Sequence, residues 1–433
     1  KPLTEEKERC SRDLSTRRIM KKRHIKKSVL RVSIVALIIY IGFMLIIINK
    51  KTPEKKEPIY MISLIGKDEN EAKEFANKYK LRLNINYVYS DENKGVSTQS
   101  IEEGKELKEN DTLNITVNKY IDKAKLKQDD INELGRIPVM MYHHIVNIDD
   151  NKYTGGNVDP DGYNRTSNAF RKDLEFYYQN GYRMVRLIDY VNGKIDVEYG
   201  KSPIVLTFDD GNADNIKVTG LDENGNIIID PNSAVGILEE FKKKYPDFNV
   251  TATFFVTGYL FNQGEYNEKI LNFLVENGYD VGNHTKDHNN MSNISEEETE
   301  YVVGYVYDKL DKIIKDKYVN IVALPFGTPY LSTHKNFSHI KKSTFNGKVY
   351  DTITTLRVGW EPDTSPFSKN FNKDFIKRCR AYDNNGKEFD IDMVFNSILK
   401  DLKYVSDGDP NTITVPKEYE KYLNDNNLYK ILY

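Results

Sequence analysis

The chain has 433 residues and a net charge of −2, with 63 basic against 65 acidic side chains. That length suffices for two or three domains and a large core. Its two cysteines, Cys10 and Cys379, exclude a disulfide framework, and a core of this size needs none.

The overall charge says little, but its distribution says more. Arg17, Arg18, Lys21, Lys22, Arg23, Lys26, Lys27 and Arg31 form a basic block. The apolar run VSIVALIIYIGFMLIII follows at 32–48. About 17 residues at roughly 1.5 Å each is near the lower limit for spanning a bilayer. No polar face interrupts the run, which argues against a buried core helix. IIINKKTPEKKEP offers no small-residue cleavage site, so a retained anchor is favoured over a signal peptide. The expectation is a cytoplasmic N-terminus at 1–31, one transmembrane helix at 32–49 and an extracellular remainder. Cys10 and Cys379 then lie on opposite sides and cannot pair. Beside a span, the basic block reads as a lipid and topology signal, not a nucleic-acid site. Met20 opens MKKRHIKK, which reads like the start of such a segment.

Residues 50–57, KKTPEKKE, are a polar linker. In the next unit, 58–119, Gly66 ends an apolar run. Asp68 then precedes a helical stretch with Ala72, Phe75, Ala76 and Tyr79 on one face. LRLNINYVY and TLNITV alternate as strands, giving one helix on a small α+β sheet. This stretch resembles a PASTA module through Leu64, Ile65, Gly66, Glu71, Ala72, Gln99, Ser100, Gly104, Leu107 and 113–117. Ile101 replaces the usual proline, and Asn110 the second glycine. The resemblance implies an extracellular module, either wall-binding or a spacer.

Residues 120–136 read as a charged, partly helical connector. From 137 to 433, short apolar strands (IPVMMY, RMVRL, IVLTF, TATFFV, YDVG, IVALPF, TITTLRV) alternate with helical segments. These include SNAFRKDLEFYYQNG, SAVGILEEFKKKY, NEKILNFLVENG and 295–314. That alternation predicts a parallel α/β architecture, open or barrel-like.

Polar residues gather where the strands end. IPVMMY runs into His143 and His144, IVLTF into Asp209 and Asp210, and YDVGN into His284 with His288 four residues on. IVALPF runs into Gly327 and Thr328. In a barrel these ends converge on one face. Asp210, His284 and His288 would supply three ligands with a fourth position open, the pattern of a catalytic zinc-like site. Asp209 is then free to act as general base. Taken alone, Asp-Asp-Gly is more often a turn. H-E-x-x-H and the nucleobase-deaminase pattern are both absent.

With these motifs in view, 137–360 resembles the catalytic domain of polysaccharide deacetylases, the NodB-homology fold of family-4 carbohydrate esterases. TFDDG (207–211), ATFFV (252–256), HTKDH (284–288) and ALPFG (323–327) carry the likeness. It implies a deformed (β/α) barrel and a divalent metal on Asp210, His284 and His288. Zinc is expected first, with cobalt, nickel or manganese as alternatives. Asp209 is implied as the base against an acetamide. Pro325 and Phe326 fall in the third motif and are expected near substrate or oxyanion.

Two departures stand out. Ala323 occupies the place of the family arginine that pairs with the base, so Arg378, or failing that Arg357, is the candidate replacement. No histidine follows His339, whereas the family acid usually comes late. IPVMMYHHI resembles the opening strand of a permuted subgroup that includes poly-N-acetylglucosamine deacetylases. By that match His143 is the acid and His144 a neighbour. Trp360 and Asp363, in GWEPDTSPF, match a groove-lining motif. Residues 212–233 read as an inserted hairpin at the rim, and His334 and His339 as solvated. The expected protein is a membrane-anchored N-deacetylase of a cell-wall glycan, in a bacterium of the Gram-positive kind. Its substrate is peptidoglycan or else β-1,6-linked poly-N-acetylglucosamine. A silent wall-binding scaffold and an O-acetyl esterase are the other readings.

Overall fold

The computed structural model describes residues 58–91, 94–149 and 162–433, together with Tyr40. The basic block, Cys10 and, apart from Tyr40, the expected span at 32–49 lie outside the described residues. Among the described residues no helix is long and apolar enough to cross a membrane. The chain divides into two compact units, the first ending at Ile121 and the second running from Asp122 to Tyr433.

The first unit contains β1 (Ile59–Tyr60), α1 (Glu69–Lys78), β2 (Arg82–Ser90), β3 (Gly95–Gln99), β4 (Glu106–Leu107) and β5 (Thr112–Tyr120). Its sheet runs β2-β5-β3, with β2 parallel and β3 antiparallel to β5. Asp68 starts α1 through a capping box with Glu71. Ala72, Phe75 and Ala76 then face inward, as the periodicity predicts. The Gln99 side chain accepts from the Leu64 N–H and donates to the Ile101 carbonyl, tying the β3 end to the opening loop. Asn110, where the family has glycine, has φ 70°, a conformation that asparagine tolerates better than most residues.

The second unit begins with α2 (Lys123–Gln128), which buries Leu126. Glu133 is buried at 2 % exposure, and its carboxylate accepts from the Tyr404 hydroxyl and the Thr414 N–H. Residues 122–136 thus pack into this unit. The chain continues through β6 (Arg136–Ile137), β7 (Val139–Tyr142), β8 (His144–Val146), β9 (Asn164–Thr166), α3 (Ser167–Gln179), β10 (Tyr182–Met184) and β11 (Ser202–Phe208). A hairpin follows, β12 (Val218–Leu221) and β13 (Ile227–Ile229), then α4 (Ala234–Lys244), β14 (Thr253–Val256), α5 (Asn267–Glu276) and β15 (Asp280–Asn283). Next come α6 (Glu296–Ile314), β16 (Ile321–Ala323), the hairpin β17 (Lys342–Phe345) and β18 (Lys348–Asp351), and β19 (Thr354–Leu356). The last strands of the core are β20 (Asp363–Thr364), β21 (Phe375–Ile376) and β22 (Cys379–Arg380).

The main sheet runs β21-β19-β16-β15-β14-β11-β7-β22, with every pairing parallel. Its two ends belong to one segment, 375–380. Phe375 and Ile376 pair with β19, while Cys379 and Arg380 pair with β7. The sheet curls until its last strand serves both edges. Strands in such a sheet bury both faces, which is why they read as continuous apolar runs. Val139, Val205, Phe255, Ile321, Leu356 and Ile376 form the inner cluster. Met140, Leu206, Phe254, Val281 and Cys379 pack on the outer face with side chains from α3 to α6.

Beneath β7, Arg165 at 4 % exposure donates Nε and Nη2 to Asp173, also at 4 %, and Nη1 to Asp383. The Tyr142 hydroxyl donates to the same Asp173 carboxylate. Removing one partner of a buried pair leaves an uncompensated charge. Arg165→Ala is therefore expected to destabilise the second unit by about 3–5 kcal/mol in chemical denaturation. An unchanged midpoint would rule the pair out as a stabilising element.

Candidate active site

Residues two apart on a strand share a face. Counting in twos along the inner face, Val139 and Met141 lead to His143. Val205 and Thr207 lead to Asp209, Gly282 to His284, and Ile376 to Arg378. All of these except Arg378 lie at the C-terminal ends of parallel strands, where ligand sites form in such sheets. β11 ends in a tight turn, with φ 73° at Asp210 and 67° at Gly211. A side chain at 211 is excluded, because its Cβ would fall 2.2 Å from the Leu260 carbonyl oxygen. The turn separates the two carboxylates. Asp209 is buried, while the Asp210 side chain is 31 % exposed. Thr285, His288 and Phe326 also have positive φ, a concentration of strain typical of functional sites.

Asp210, His284 and His288 present ligand atoms within 4.8 Å of one another. The Nε2 atoms of His284 and His288 lie 3.1 and 3.6 Å from Asp210 Oδ1. His284 Nδ1 is 2.8 Å from the Ala323 carbonyl oxygen. That acceptor keeps the proton on Nδ1 and turns the Nε2 lone pair toward Asp210. His284 Nε2 is buried and has no hydrogen-bond partner. One carboxylate, two imidazoles and an orphaned buried nitrogen fit a divalent cation. Burial pushes His284 down, but the neighbouring carboxylates reverse this and leave it above its ordinary value. Burial, then the charge of His284, lowers His288. Burial alone would raise Asp210, yet the imidazole of His284 beside it outweighs this and holds it well below the usual carboxylate range.

Asp209 faces Arg378, which is fully buried. Nη1 and Nη2 donate to the two carboxylate oxygens, each at 2.7 Å. Nη1 also reaches Thr207 Oγ1 at 3.3 Å, and Nε donates to the Arg357 carbonyl at 2.6 Å. Burial would raise the Asp209 carboxyl, but the Arg378 charge and then His284 outweigh it, so it stays below its usual value. The guanidinium expected from position 323 thus arrives from the closing segment instead. Arg357 does not reach Asp209 and donates Nη2 to the Tyr330 carbonyl.

His143 Nε2 lies 4.0 Å from Asp209 Oδ2. Its ring stands edge-on to Tyr163 at 4.7 Å, and its Nδ1 is buried without a partner. Burial pushes its pKa down to about 4 against the opposing pull of Asp209 and Asp210. The His143 carbonyl accepts from Asn215 Nδ2 at 2.6 Å. His144 bonds through Nδ1 to Asp214 at 2.7 Å, and Asp214 also accepts from the Ile145 N–H. Sequence reasoning missed Asp214 and Asn215. Their signal was the polar NADN directly after the Asp pair, and the start of the inserted segment braces the strand end that carries His143.

The remaining candidates divide. Pro325 is buried, while Phe326 is half exposed with its ring 4.7 Å from that of His288. Trp360 is 59 % exposed and stacks on Phe389 at 5.3 Å, and its backbone N–H donates to the Arg378 carbonyl. Asp363 is not brought to this cluster. It pairs in register with Ile137, at the other end of β7 from His143, and accepts from the Thr364 and Lys377 N–H groups. Burial pushes its pKa up to about 6. His339 is held between Glu300 and Glu296 at 2.7 and 3.1 Å, more than the solvated loop residue expected.

Two losses should separate. His284→Ala is expected to weaken binding of one zinc ion per chain by about 100-fold or more in calorimetry, since even outer-shell changes cost about 10–100-fold. Arg378→Ala leaves Asp209 as an unpaired buried carboxylate and is expected to cost about 3–5 kcal/mol of stability. Its zinc affinity should fall far less than that of His284→Ala. Equal zinc loss in both variants would merge the two clusters into one.

Residues 196–343 match the family model for polysaccharide deacetylase, and residues 59–119 match the PASTA domain model. No curated protein matches the chain. Solved structures that resemble it include a Streptococcus pyogenes deacetylase, PplD, in complex with acetate. It is 17% identical, covers 58% of this chain and 94% of its own, and has a TM-score of 0.41. A putative polysaccharide deacetylase from Bacillus anthracis, BA0330, is 18% identical over 68% of this chain and 73% of its own, with a TM-score of 0.45. A de-N-acetylase from Aggregatibacter actinomycetemcomitans is 12% identical over 56% and 94%, with a TM-score of 0.38. Residues 196–343 belong to the polysaccharide deacetylases, and residues 59–119 are a PASTA domain.

Proposed function

We propose that this chain is a metal-dependent N-deacetylase that removes acetyl groups from the N-acetylglucosamine residues of peptidoglycan. It works at the outer face of a bacterial membrane of the Gram-positive kind, anchored through residues 32–49 with its N-terminus in the cytoplasm. The observation that carries this reading is the buried Arg378–Asp209 pair beside the Asp210–His284–His288 cluster, with His143 at 4.0 Å from the carboxylate. The wall substrate is supported by the PASTA domain on the same chain.

A divalent cation on Asp210, His284 and His288, zinc before cobalt, nickel or manganese, would supply Lewis-acid polarisation of the acetyl carbonyl and acidify the attacking water. Asp209, kept ionised by Arg378, takes the proton of that water. Burial keeps His143 neutral in the free site. The proton it delivers to the departing nitrogen is therefore acquired during the reaction, and Asp209 is its source. The products are acetate and a glucosamine residue. Pro325, Phe326 and Trp360 border the sugar in this reading.

A second reading, β-1,6-linked poly-N-acetylglucosamine, is favoured by the position of His143 ahead of the Asp pair. Acetate release from both polymers by the zinc-loaded full chain decides between them. Release should stop with chelator and fall by about 10²–10⁴-fold in Asp209→Asn. Metal binding without release from either polymer would return the chain to a wall-binding scaffold.

The acid role has its own test. Amide cleavage needs protonation of a poor leaving group, whereas ester cleavage needs it less. His143→Ala is expected to lower amide hydrolysis by about 10²-fold or more while an O-acetyl ester suffers much less. Equal losses on both would remove His143 as the acid and favour the esterase reading.

A further inference from the structure

Arg380 sits where the chemistry above gives it no task. It follows Arg378 by two residues on the closing segment, and Cys379 between them packs in the outer cluster. Arg378 and Arg380 therefore share the inner face. Arg380 stands nearer the C-terminal mouth, in register with Met141, two residues before His143. Its guanidinium lies 5.4 Å from the centre of the Tyr163 ring, which in turn stands 4.7 Å from the His143 ring. Its stem lies against Gly359, where a Cβ would fall 2.3 Å from Arg380 Cγ, next to the exposed Trp360.

The arginines of the second unit that are largely buried have carboxylate partners. Arg165 has Asp173 and Asp383, Arg183 has Glu198 and Asp247, and Arg378 has Asp209. Arg357 and Arg380 are half-buried, each with a buried Nε that has no hydrogen-bond partner and with no carboxylate of the described residues within 4.0 Å; Arg357 donates Nη2 to the Tyr330 carbonyl, and Arg380 has no such acceptor among the described residues. A partly desolvated guanidinium without an anion is unfavourable unless a ligand supplies one. Its planar fork matches a carboxylate, and a single cation suits a monoanion.

We infer that Arg380 is a specificity residue that binds a carboxylate carried beside the acetamide being hydrolysed. This rests on the reading of the site as a glycan N-deacetylase and names its substrate class, an anionic glycan. In wall glycan the carboxylate is that of the muramic lactyl ether where peptide is absent, or those of the peptide linked to it. A homopolymer of N-acetylglucosamine offers none, so Arg380 separates the two substrates proposed above.

The test uses the full zinc-loaded chain and three oligosaccharides of equal length. These are an N-acetylglucosamine–N-acetylmuramic acid tetramer without peptide, the same tetramer bearing peptides, and the neutral N-acetylglucosamine tetramer. Binding is read by calorimetry, and kcat and KM by acetate release. The wild type should prefer a carboxylate-bearing tetramer over the neutral one, and the stronger of the two anionic arms identifies which carboxylate is bound. Arg380→Gln should cut that preference by about tenfold or more, as loss of a charge-assisted hydrogen bond does. The change should appear in KM, and Arg380→Lys should recover part of it. A preference left intact in Arg380→Gln, or no preference in the wild type, overturns the inference. So does a uniform loss across all three ligands. Because binding is read without turnover, a chain that discriminates but releases no acetate overturns the deacetylase reading and, with it, the place of the carboxylate beside a hydrolysed acetamide, while Arg380 remains the residue that binds the carboxylate.

Discussion

The fork between Arg378 and Asp209 is the constraint around which the second unit is arranged. A carboxylate at 2 % exposure is not stable as an anion by itself. Two hydrogen bonds of 2.7 Å from one guanidinium make it so. The remaining bonds of that guanidinium go to Thr207 and the Arg357 carbonyl, which fixes its plane. For Arg378 to reach Asp209, segment 375–380 has to lie between β19 and β7. The same segment joins the two edges of the sheet. Closure of the fold and ionisation of the carboxylate are one structural event.

Two acidic neighbours on a strand end would ordinarily repel. Here the positive φ of Asp210 and Gly211 turns the chain so that the two carboxylates have different main partners, Arg378 for Asp209 and the imidazoles for Asp210. Asp209 takes a permanent counter-charge from arginine. Asp210 takes the imidazole side, where charge depends on what is bound. The arrangement lets one carboxylate handle protons while the other holds a ligand, with His284 as a charge that acts on both.

Much of this was legible in the sequence because parallel strands buried on both faces leave long apolar runs, and each run here stops at a polar motif. The four residues Asp209, Asp210, His284 and His288 follow directly from those strand ends. The helix of the first unit was legible through Asp68 and the spacing of Ala72, Phe75 and Ala76. The closing strand was not. Its two paired pieces are two residues each, and its inner face carries Arg378 and Arg380 in place of apolar side chains, which defeats a reading by alternation. Arg378 could be named only as a replacement for the arginine missing at 323, with nothing in its own surroundings to mark it. Asn215 was invisible because it acts through a backbone carbonyl 72 residues away. The segment matched to the deacetylase family, 196–343, holds Asp209, Asp210, His284 and His288 but neither His143 nor Arg378.

The late position of Arg378 has a consequence for the nascent chain. The candidate ligands at 210, 284 and 288 are all made well before residue 378, which follows Asp209 by 169 positions. At about 5–20 residues per second, the gap is roughly 10–30 s of synthesis. Until residue 378 is made, Asp209 has no guanidinium to pair with and the two edges of the sheet have no shared strand. Order of synthesis therefore sets the cluster at 210, 284 and 288 ahead of the counter-charge for the carboxylate beside it.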